Sequence, residues 1–491
     1  MREIDLKNMK SKLDKIGPGM CLAKWLQVTM HLHLGHNHSC HHPLTHKINK
    51  SEIKKNPSAL HNTKFKQAAR LEMLNGDRPS ECNYCWQVED SGESTYSDRV
   101  IKSSAGWANS SFDKVVDSKA GENIKPKYLE VSFSHACNFK CSYCAPHFSS
   151  SWEKEIQKDG PYMLDRVYNG IGINAFMSKR PLDVNKPNPY VDAFWQWFPE
   201  IYNDLSVLRV TGGEPLLSGD TFKLFDKIKN TPNPNMKLAI NTNLGVPDTT
   251  IDKTIDVLKS FKTGYHVKKL EFYTSVDTWG QQAEYIRHGL NFEKFWINLK
   301  KVLLELPNVD VNIMCTFNNL SVPNFKVFLQ NFLKLKREVA PHRPDAHFLL
   351  DIPYLKNPLH QSFLLLPRDY TEIKITECIE FMENNKDLES HWFSPDFIEI
   401  EVGKMQRLLE ILNNEPVDKL ANKYQKANFY KFFAEHDKRR GTDFLKTFPE
   451  LKKFWNSCKK SANATAFYPD MNLAHTVAWG LSKATNFLKL K

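Results

Sequence analysis

From Tyr128 to Ile352 the chain alternates short apolar runs with stretches whose apolar residues recur at helical spacing. That alternation restricts the segment to a parallel sheet joined by crossover helices, because parallel neighbours need a long return path. Six runs read as strands: Tyr128 to Ser134, Val207 to Thr211, Lys237 to Thr242, Lys269 to Ser275, Val309 to Thr316 and His347 to Ile352. Phe222 to Lys229, Ile251 to Phe261 and Phe292 to Leu306 read as crossover helices. The expected fold is α/β, a partial (β/α)6 TIM-like barrel over residues 126–356. The first crossover, Cys144 to Ser206, is about twice the length one helix needs, and its Phe194, Trp195, Trp197 and Phe198 read as packing residues.

Upstream, Trp25 to Leu34 alternates strictly. Leu26, Val28, Met30, Leu32 and Leu34 take one face and Trp25, Gln27, Thr29, His31 and His33 the other, the pattern of a half-buried strand. Gly35, His36 and Asn37 supply a turn, so a hairpin returning through Ser39 and Cys40 is expected. Residues 1–125 therefore read as a small α+β cysteine-rich domain. Residues 357–491 read as a C-terminal helical domain, with an amphipathic repeat over Phe397 to Leu412 and a basic end beyond Phe448.

Composition narrows the class. Of 491 residues, 41% are hydrophobic and 25% charged, which excludes collagen-like, coiled-coil and wholly disordered chains. No apolar run reaches the roughly 20 residues that span a bilayer. The opening MREIDLKNMKSKLDK is charged where a signal peptide is apolar, so a cytoplasmic protein without membrane partners is expected. The net charge of +11 permits acidic partners and leaves nucleic acid open. Between Lys47 and Arg70, Lys50, Lys54, Lys55, Lys64 and Lys66 face Glu52 alone, a run that reads as a solvated helix face, with RNA or an acidic peptide as the alternative contact.

The ten cysteines say more, because cytosolic thiols stay reduced and a cluster of them points to metal or redox chemistry. Cys137, Cys141 and Cys144 form C-x3-C-x2-C directly after the first barrel strand. Three thiolates on one short loop can hold three irons of a [4Fe–4S] cube and leave the fourth iron open, as catalytic metal centres require. Cys21, Cys40, Cys82 and Cys85 form a second set, complete for one closed cluster or one zinc. Cys315, Cys378 and Cys458 stand alone, and Cys315 reads as a small apolar residue within the fifth strand.

The stretch ACNFKCSYC from Ala136 to Cys144 resembles the signature of the radical S-adenosylmethionine (radical SAM) enzymes, including the aromatic Tyr143 before the last cysteine. Thr211-Gly212-Gly213-Glu214-Pro215, at the end of the second strand, is similar to that family's GGEP motif. The resemblance implies that Cys137, Cys141 and Cys144 ligate the catalytic cluster and that Gly212, Gly213 and Glu214 hold the SAM amino group. It also implies SAM ribose or methionine contacts from Asn241, Asn243, Ser275 and Asp277, and a SAM carboxylate contact from Arg287 in AEYIRHG. The chemistry implied is reductive SAM cleavage to a 5′-deoxyadenosyl radical, with a low-potential donor such as flavodoxin or ferredoxin.

Cys21, Gly35 and Cys40 resemble the C-x(9–15)-G-x4-C element of SPASM and twitch auxiliary-cluster domains, and Cys82-Asn-Tyr-Cys85 fits the single-cluster twitch type. Those domains usually follow the barrel, whereas this set precedes it. Zinc stays an alternative, since His31, His33, His36, His38, His41, His42 and His46 crowd the same hairpin; His31 and His33 read as exposed polar residues. The SPASM/twitch resemblance implies a peptide or protein substrate; RNA, a small metabolite or a silent iron–sulfur protein are the alternatives.

Overall fold

The structure, a computed structural model, describes residues 3–91, 96–119, 121–164, 181–183, 186–414 and 419–465. Its strands in chain order are β1 (Gln27–His31), β2 (His36–His38), β3 (His46–Lys47), β4 (Tyr128–Ser132), β5 (Lys140–Cys141), β6 (Val207–Thr211), β7 (Asn233–Thr242), β8 (Val267–Ser275), β9 (Arg287–His288), β10 (Asp310–Met314) and β11 (Phe348–Asp351). The six expected barrel strands are thus β4, β6, β7, β8, β10 and β11, and the fold is α/β with parallel strands. The expected crossover helices lie at Gly219–Asn230, Asp248–Lys259 and Phe292–Glu305. Residues divide into two compact units, 1–136 with 181–241 and 256–271, and 137–180 with 242–255 and 272–491.

In the first unit the strands run β7-β6-β4-β1-β2-β3. β1 is parallel to β4, with Gln27 opposite Tyr128 and His31 opposite Ser132, and β4 is parallel to β6, with Ser132 opposite Thr211. A hairpin forms, β2 returning antiparallel with Met30 opposite Asn37, but its turn is Leu32 to Gly35, so His36 and Asn37 stand in the returning strand and Ser39 and Cys40 lie beyond it. The half-buried strand does not form. Trp25 and Leu26 end a short helix, and β1 is covered on both faces, with Gln27, Val28, Thr29 and Met30 all buried. Alternation misleads here because β1 is an interior strand of a mixed sheet, parallel to β4 and antiparallel to β2, rather than the edge of a separate one. His33, expected to be exposed, is also buried and its Nδ1 lies 3.1 Å from Ser132 Oγ.

The basic run is solvated over most of its length, with Lys47, Lys50, Lys54, Lys55 and Lys64 exposed as expected, but Lys66 and Arg70 on the helix Lys64–Leu74 are fully buried. Lys66 Nζ donates to the Gln27 carbonyl at 3.0 Å, and Arg70 Nη1 donates to Asn62 Oδ1 at 2.8 Å. These cations hold the backbone that enters β1 instead of facing water. Met9, Leu13, Met20, Leu22, Trp25 and Met73 form the hydrophobic core beneath them. The helix Pro189–Ile201, capped by Asn188 with proline at its start, buries Phe194, Trp197 and Phe198, so the aromatic stretch is packing.

In the second unit β10 is parallel to β11, with Val311 opposite Phe348, and β5 is antiparallel to β9, with Cys141 opposite Arg287. The C-terminal segment is helical, over Arg368–Glu383, Glu399–Asn414, Lys419–Arg440 and Lys452–Ala464. Cys315 is buried one residue past β10 rather than inside it, and its thiol donates to the Asp277 carbonyl at 3.3 Å. The basic tail beyond Thr465 lies outside the described residues. No helix among the described residues is long and apolar enough to cross a membrane.

Candidate active site: the cysteine loop and the GGEP turn

The loop from Cys137 to Cys144 follows β4 in the chain, carries β5 in its middle and leads to the helix Ser150–Asp159. Ser149 caps that helix and its hydroxyl donates to the Phe139 carbonyl at 2.6 Å, folding the loop back on itself. All three cysteines are partly exposed as residues. Burial pushes the Cys144 thiol up to about 12 and raises Cys141, so in the metal-free chain both stay protonated at neutral pH. A bound cation reverses that preference, since only the thiolate is a ligand.

Two of the predicted SAM contacts lie beside thiols of this loop. Arg287, delivered by the β5–β9 pairing, places Nη1 3.8 Å from Cys141 Sγ, and Asn243 places Nδ2 3.9 Å from Cys137 Sγ. Arg287 is fixed by Asp277: its Nε donates to Asp277 Oδ2 at 2.8 Å and its Nη2 to Oδ1 at 3.0 Å. Tyr143 completes the group, its hydroxyl donating to Asp277 Oδ2 at 2.9 Å and accepting from Arg287 Nη2 at 2.6 Å. Asp277 in turn accepts from the Thr316 amide at 3.0 Å, so the segment just past β10 holds the carboxylate. Arg287 and Asp277 are both buried, and a two-pronged pair of this kind has its desolvation offset by directed hydrogen bonds. Ser275 closes β8 two residues before Asp277. Gly289 has φ +107, and a Cβ there would lie 2.7 Å from the Asn138 carbonyl oxygen, so glycine is required where the chain leaves β9.

The first unit holds the GGEP turn. Gly213 packs so closely that a Cβ would lie 2.6 Å from both the His135 and Ala136 carbonyl oxygens. The Glu214 amide donates to the Ala136 carbonyl at 2.7 Å, and its buried carboxylate accepts from the Leu216 amide at 3.0 Å. The glycines therefore serve the meeting of two loop backbones, a demand the sequence alone does not reveal. Asn241, at the end of β7, accepts from Arg209 Nε at 2.9 Å through Oδ1.

The radical SAM superfamily matches residues 131–319, the span that contains this loop and turn. Residues 131–319 are a radical SAM domain. The chain is similar to the GTP 3′,8-cyclase of Sulfurimonas denitrificans, at 26% identity over 30% of the chain and 33% of that protein. It is also similar to the GTP 3′,8-cyclases of a Sulfurovum species, at 30% identity over 26% and 30% of the two chains, and of Mannheimia succiniciproducens, at 28% over 24% and 26%. The chain thus spans about a third or less of the length of these relatives. No solved structure matches.

Outside the radical SAM domain, the second cysteine set comes together within the first unit. Cys21, Cys40, Cys82 and Cys85 line one pocket with Lys24, His42, Asp98, Arg99 and Lys102. Burial raises the thiols, Cys40 to about 11 and Cys82 to about 12, while Lys24 pulls both back. Lys24 is buried and its Nζ lies 2.5 Å from Glu81 Oε1. Of the seven crowded histidines only His42 lines the pocket, and its Nε2 lies 2.6 Å from Asp98 Oδ2. His31 and His38 face each other at 3.3 Å, His36 meets Thr45 and His46 meets Thr63. Among the described residues no group of three or more His, Cys, Asp or Glu is placed to hold a single metal ion.

Several residues that shape the loop carry no motif in the sequence. Trp152 and Glu155 share one face of the helix after the loop, a spacing that could have been noticed. Gln361 and Arg440 come from the far C-terminal segment, and nothing local announces them.

Proposed function

We propose that the protein is an iron–sulfur enzyme that reductively cleaves S-adenosylmethionine at a [4Fe–4S] cluster held by Cys137, Cys141 and Cys144. One observation carries this reading: three cysteines share a loop with Arg287 and Asn243 beside the thiols of two of them, inside the radical SAM domain. The donor set fits the group, since three thiolates complete three irons and leave one open. When bound and supplied with one low-potential electron, the cluster and SAM provide a 5′-deoxyadenosyl radical.

The chain's own part is to hold and orient. Asp277 and Tyr143 fix Arg287 so that Nη1 is the nitrogen offered beside Cys141. We assign Asp277 this positioning task in place of a ribose contact. Gly212, Gly213, Glu214, Asn241, Asn243 and Ser275 are the remaining SAM contacts that the resemblance implies. Flavodoxin or ferredoxin would serve as the electron donor, in a cytoplasm that keeps the thiols reduced.

A second [4Fe–4S] cluster at Cys21, Cys40, Cys82 and Cys85 belongs to the same proposal. Four thiols around a pocket, with His42 the one histidine of the crowded hairpin that lines it and that one held by Asp98, favour a cube over a zinc ion. Zinc draws its ligands within about 2.3 Å of one point, whereas a cube spaces them more widely. Residues 1–125, 126–356 and 357–491 are the corresponding functional segments. The relatives are named for a reaction of GTP, and they lend nothing to a peptide or protein substrate. Nucleotides and other small metabolites therefore come first among substrates to try.

The test is direct. Reconstituted, reduced protein should convert SAM to 5′-deoxyadenosine, and the variant with Cys137, Cys141 and Cys144 all changed to alanine should form none. Undiminished product from that variant sinks the proposal.

A further inference from the structure

The segment from residue 357 onward has no role in the reading above, yet two of its side chains, Gln361 before its first α-helix and Arg440 at the end of Lys419–Arg440, reach the cysteine loop within the second unit. The carbonyls of Lys140, Cys141 and Ser142 are consecutive, and each accepts a hydrogen bond from a side chain. Arg440 Nη1 donates to Lys140 O at 2.6 Å, Trp152 Nε1 to Cys141 O at 2.8 Å, and Gln361 Nε2 to Ser142 O at 3.0 Å. The Ser142 hydroxyl also donates to Gln361 Oε1 at 2.8 Å, closing a two-bond ring between residues 219 apart in sequence.

Each donor is itself held. The Arg440 side chain is fully buried, lies over the Trp152 ring at 4.5 Å from its centre, and places Nε 3.1 Å from Glu155 Oε2. Glu155 also takes Lys140 Nζ at 2.7 Å and the Tyr162 hydroxyl at 2.7 Å. Arg439 covers the Tyr162 ring at 4.1 Å, and its Nη1 donates to the Gly160 carbonyl at 2.7 Å. The buried Gln361 backbone carbonyl accepts from the Asn319 amide at 3.0 Å. Such a network is costly to leave half-made, because a buried charge without its partner is strongly disfavoured.

We propose that the C-terminal segment is a clasp for the cluster loop, in which Arg440 and Gln361 are positioning residues that hold the backbone on either side of Cys141. Three pinned carbonyls leave the middle ligand little freedom to swing away from the position its cluster requires. This rests on the reading that the loop carries a cluster. The clasp also explains why an arginine is needed at position 440: its planar fork serves the Lys140 carbonyl and the Glu155 carboxylate together, which a lysine ammonium does less well.

The experiment uses the full chain, reconstituted without oxygen. Its readout is the rate at which an iron chelator removes the part of the reduced-cluster electron paramagnetic resonance signal that responds to SAM. Arg440→Gln and Gln361→Leu should each lose that signal about tenfold faster than the parent, and Arg440→Lys should fall between, as expected for loss of buried directed bonds. Lys438→Gln, changed at an exposed position two residues away, should behave as the parent. Parent-like rates in a folded Arg440→Gln protein overturn the clasp; should that variant not fold, parent-like rates in Gln361→Leu overturn it. If the parent itself shows no SAM-responsive signal, the cluster reading fails instead. Amide exchange of residues 137–144 then tests the clasp alone: faster exchange in the variants supports it and unchanged exchange overturns it.

Discussion

Glu155 shows how one carboxylate can organise a loop it does not belong to. Burial alone would raise its pKa from 4.5, but the charge of Arg440 and hydrogen bonds from Arg440, Lys140 and Tyr162 hold it down to about 2. A carboxyl depressed in the folded chain adds stability above its unfolded pKa and loses it as the pH falls toward the folded value. Glu155→Gln should therefore melt at a lower temperature than the parent at pH 7, at a cost of order 3 kcal/mol. The gap between the two proteins should shrink from pH 4.5 downward and close near pH 2, as followed by thermal melts across that range. A gap independent of pH would mean that Glu155 acts through packing and not through charge. Gly213 makes a complementary point, since its reason for being glycine is steric and lies in the carbonyls of His135 and Ala136.

Strand β1 is the element whose role differs most from its appearance. Its alternating sequence suggests a strand with one wet face, but Val28 and Met30 are fully buried, and so are Gln27 and Thr29 on the other side. It covers the edge of β4 that a bare barrel sheet would expose, and β2 then covers β1. Met30→Ala should cost about 2–5 kcal/mol, as a deletion in a close-packed core does, and should lower the melting temperature clearly. A change of less than about 0.5 kcal/mol, the size of a surface effect, would show that β1 is an appended hairpin.

For the molecule as a whole, the ten cysteines divide by surroundings. Three lie on one loop, four line one pocket, and Cys315, Cys378 and Cys458 are buried apart from both sets. The reconstituted chain should bind roughly eight irons, and the variant with Cys21, Cys40, Cys82 and Cys85 changed to serine roughly four, with its SAM-responsive signal kept. Four irons and one zinc in the parent, counted by elemental analysis, would replace the auxiliary cluster with a structural zinc. The net charge of +11 carries less meaning than it first suggests, because Lys24, Lys66, Arg70 and Arg440 are spent inside the protein.

Local patterns were enough for the parallel strands, the crossover helices, the three-cysteine loop and the GGEP turn. Each depends on residues near one another in the chain, where periodicity and spacing act directly. The place of β1 inside the sheet was not legible, because its parallel partner, β4, lies about a hundred residues away. Nor was the pinning of Lys140 and Ser142 by Arg440 and Gln361, or the approach of Arg287 to Cys141 through the β5–β9 pair. Hydrogen bonds between distant residues leave no period and no spacing in a single sequence. They exist only once the chain has closed on itself, and that closure chooses which polar side chains meet the cysteine loop.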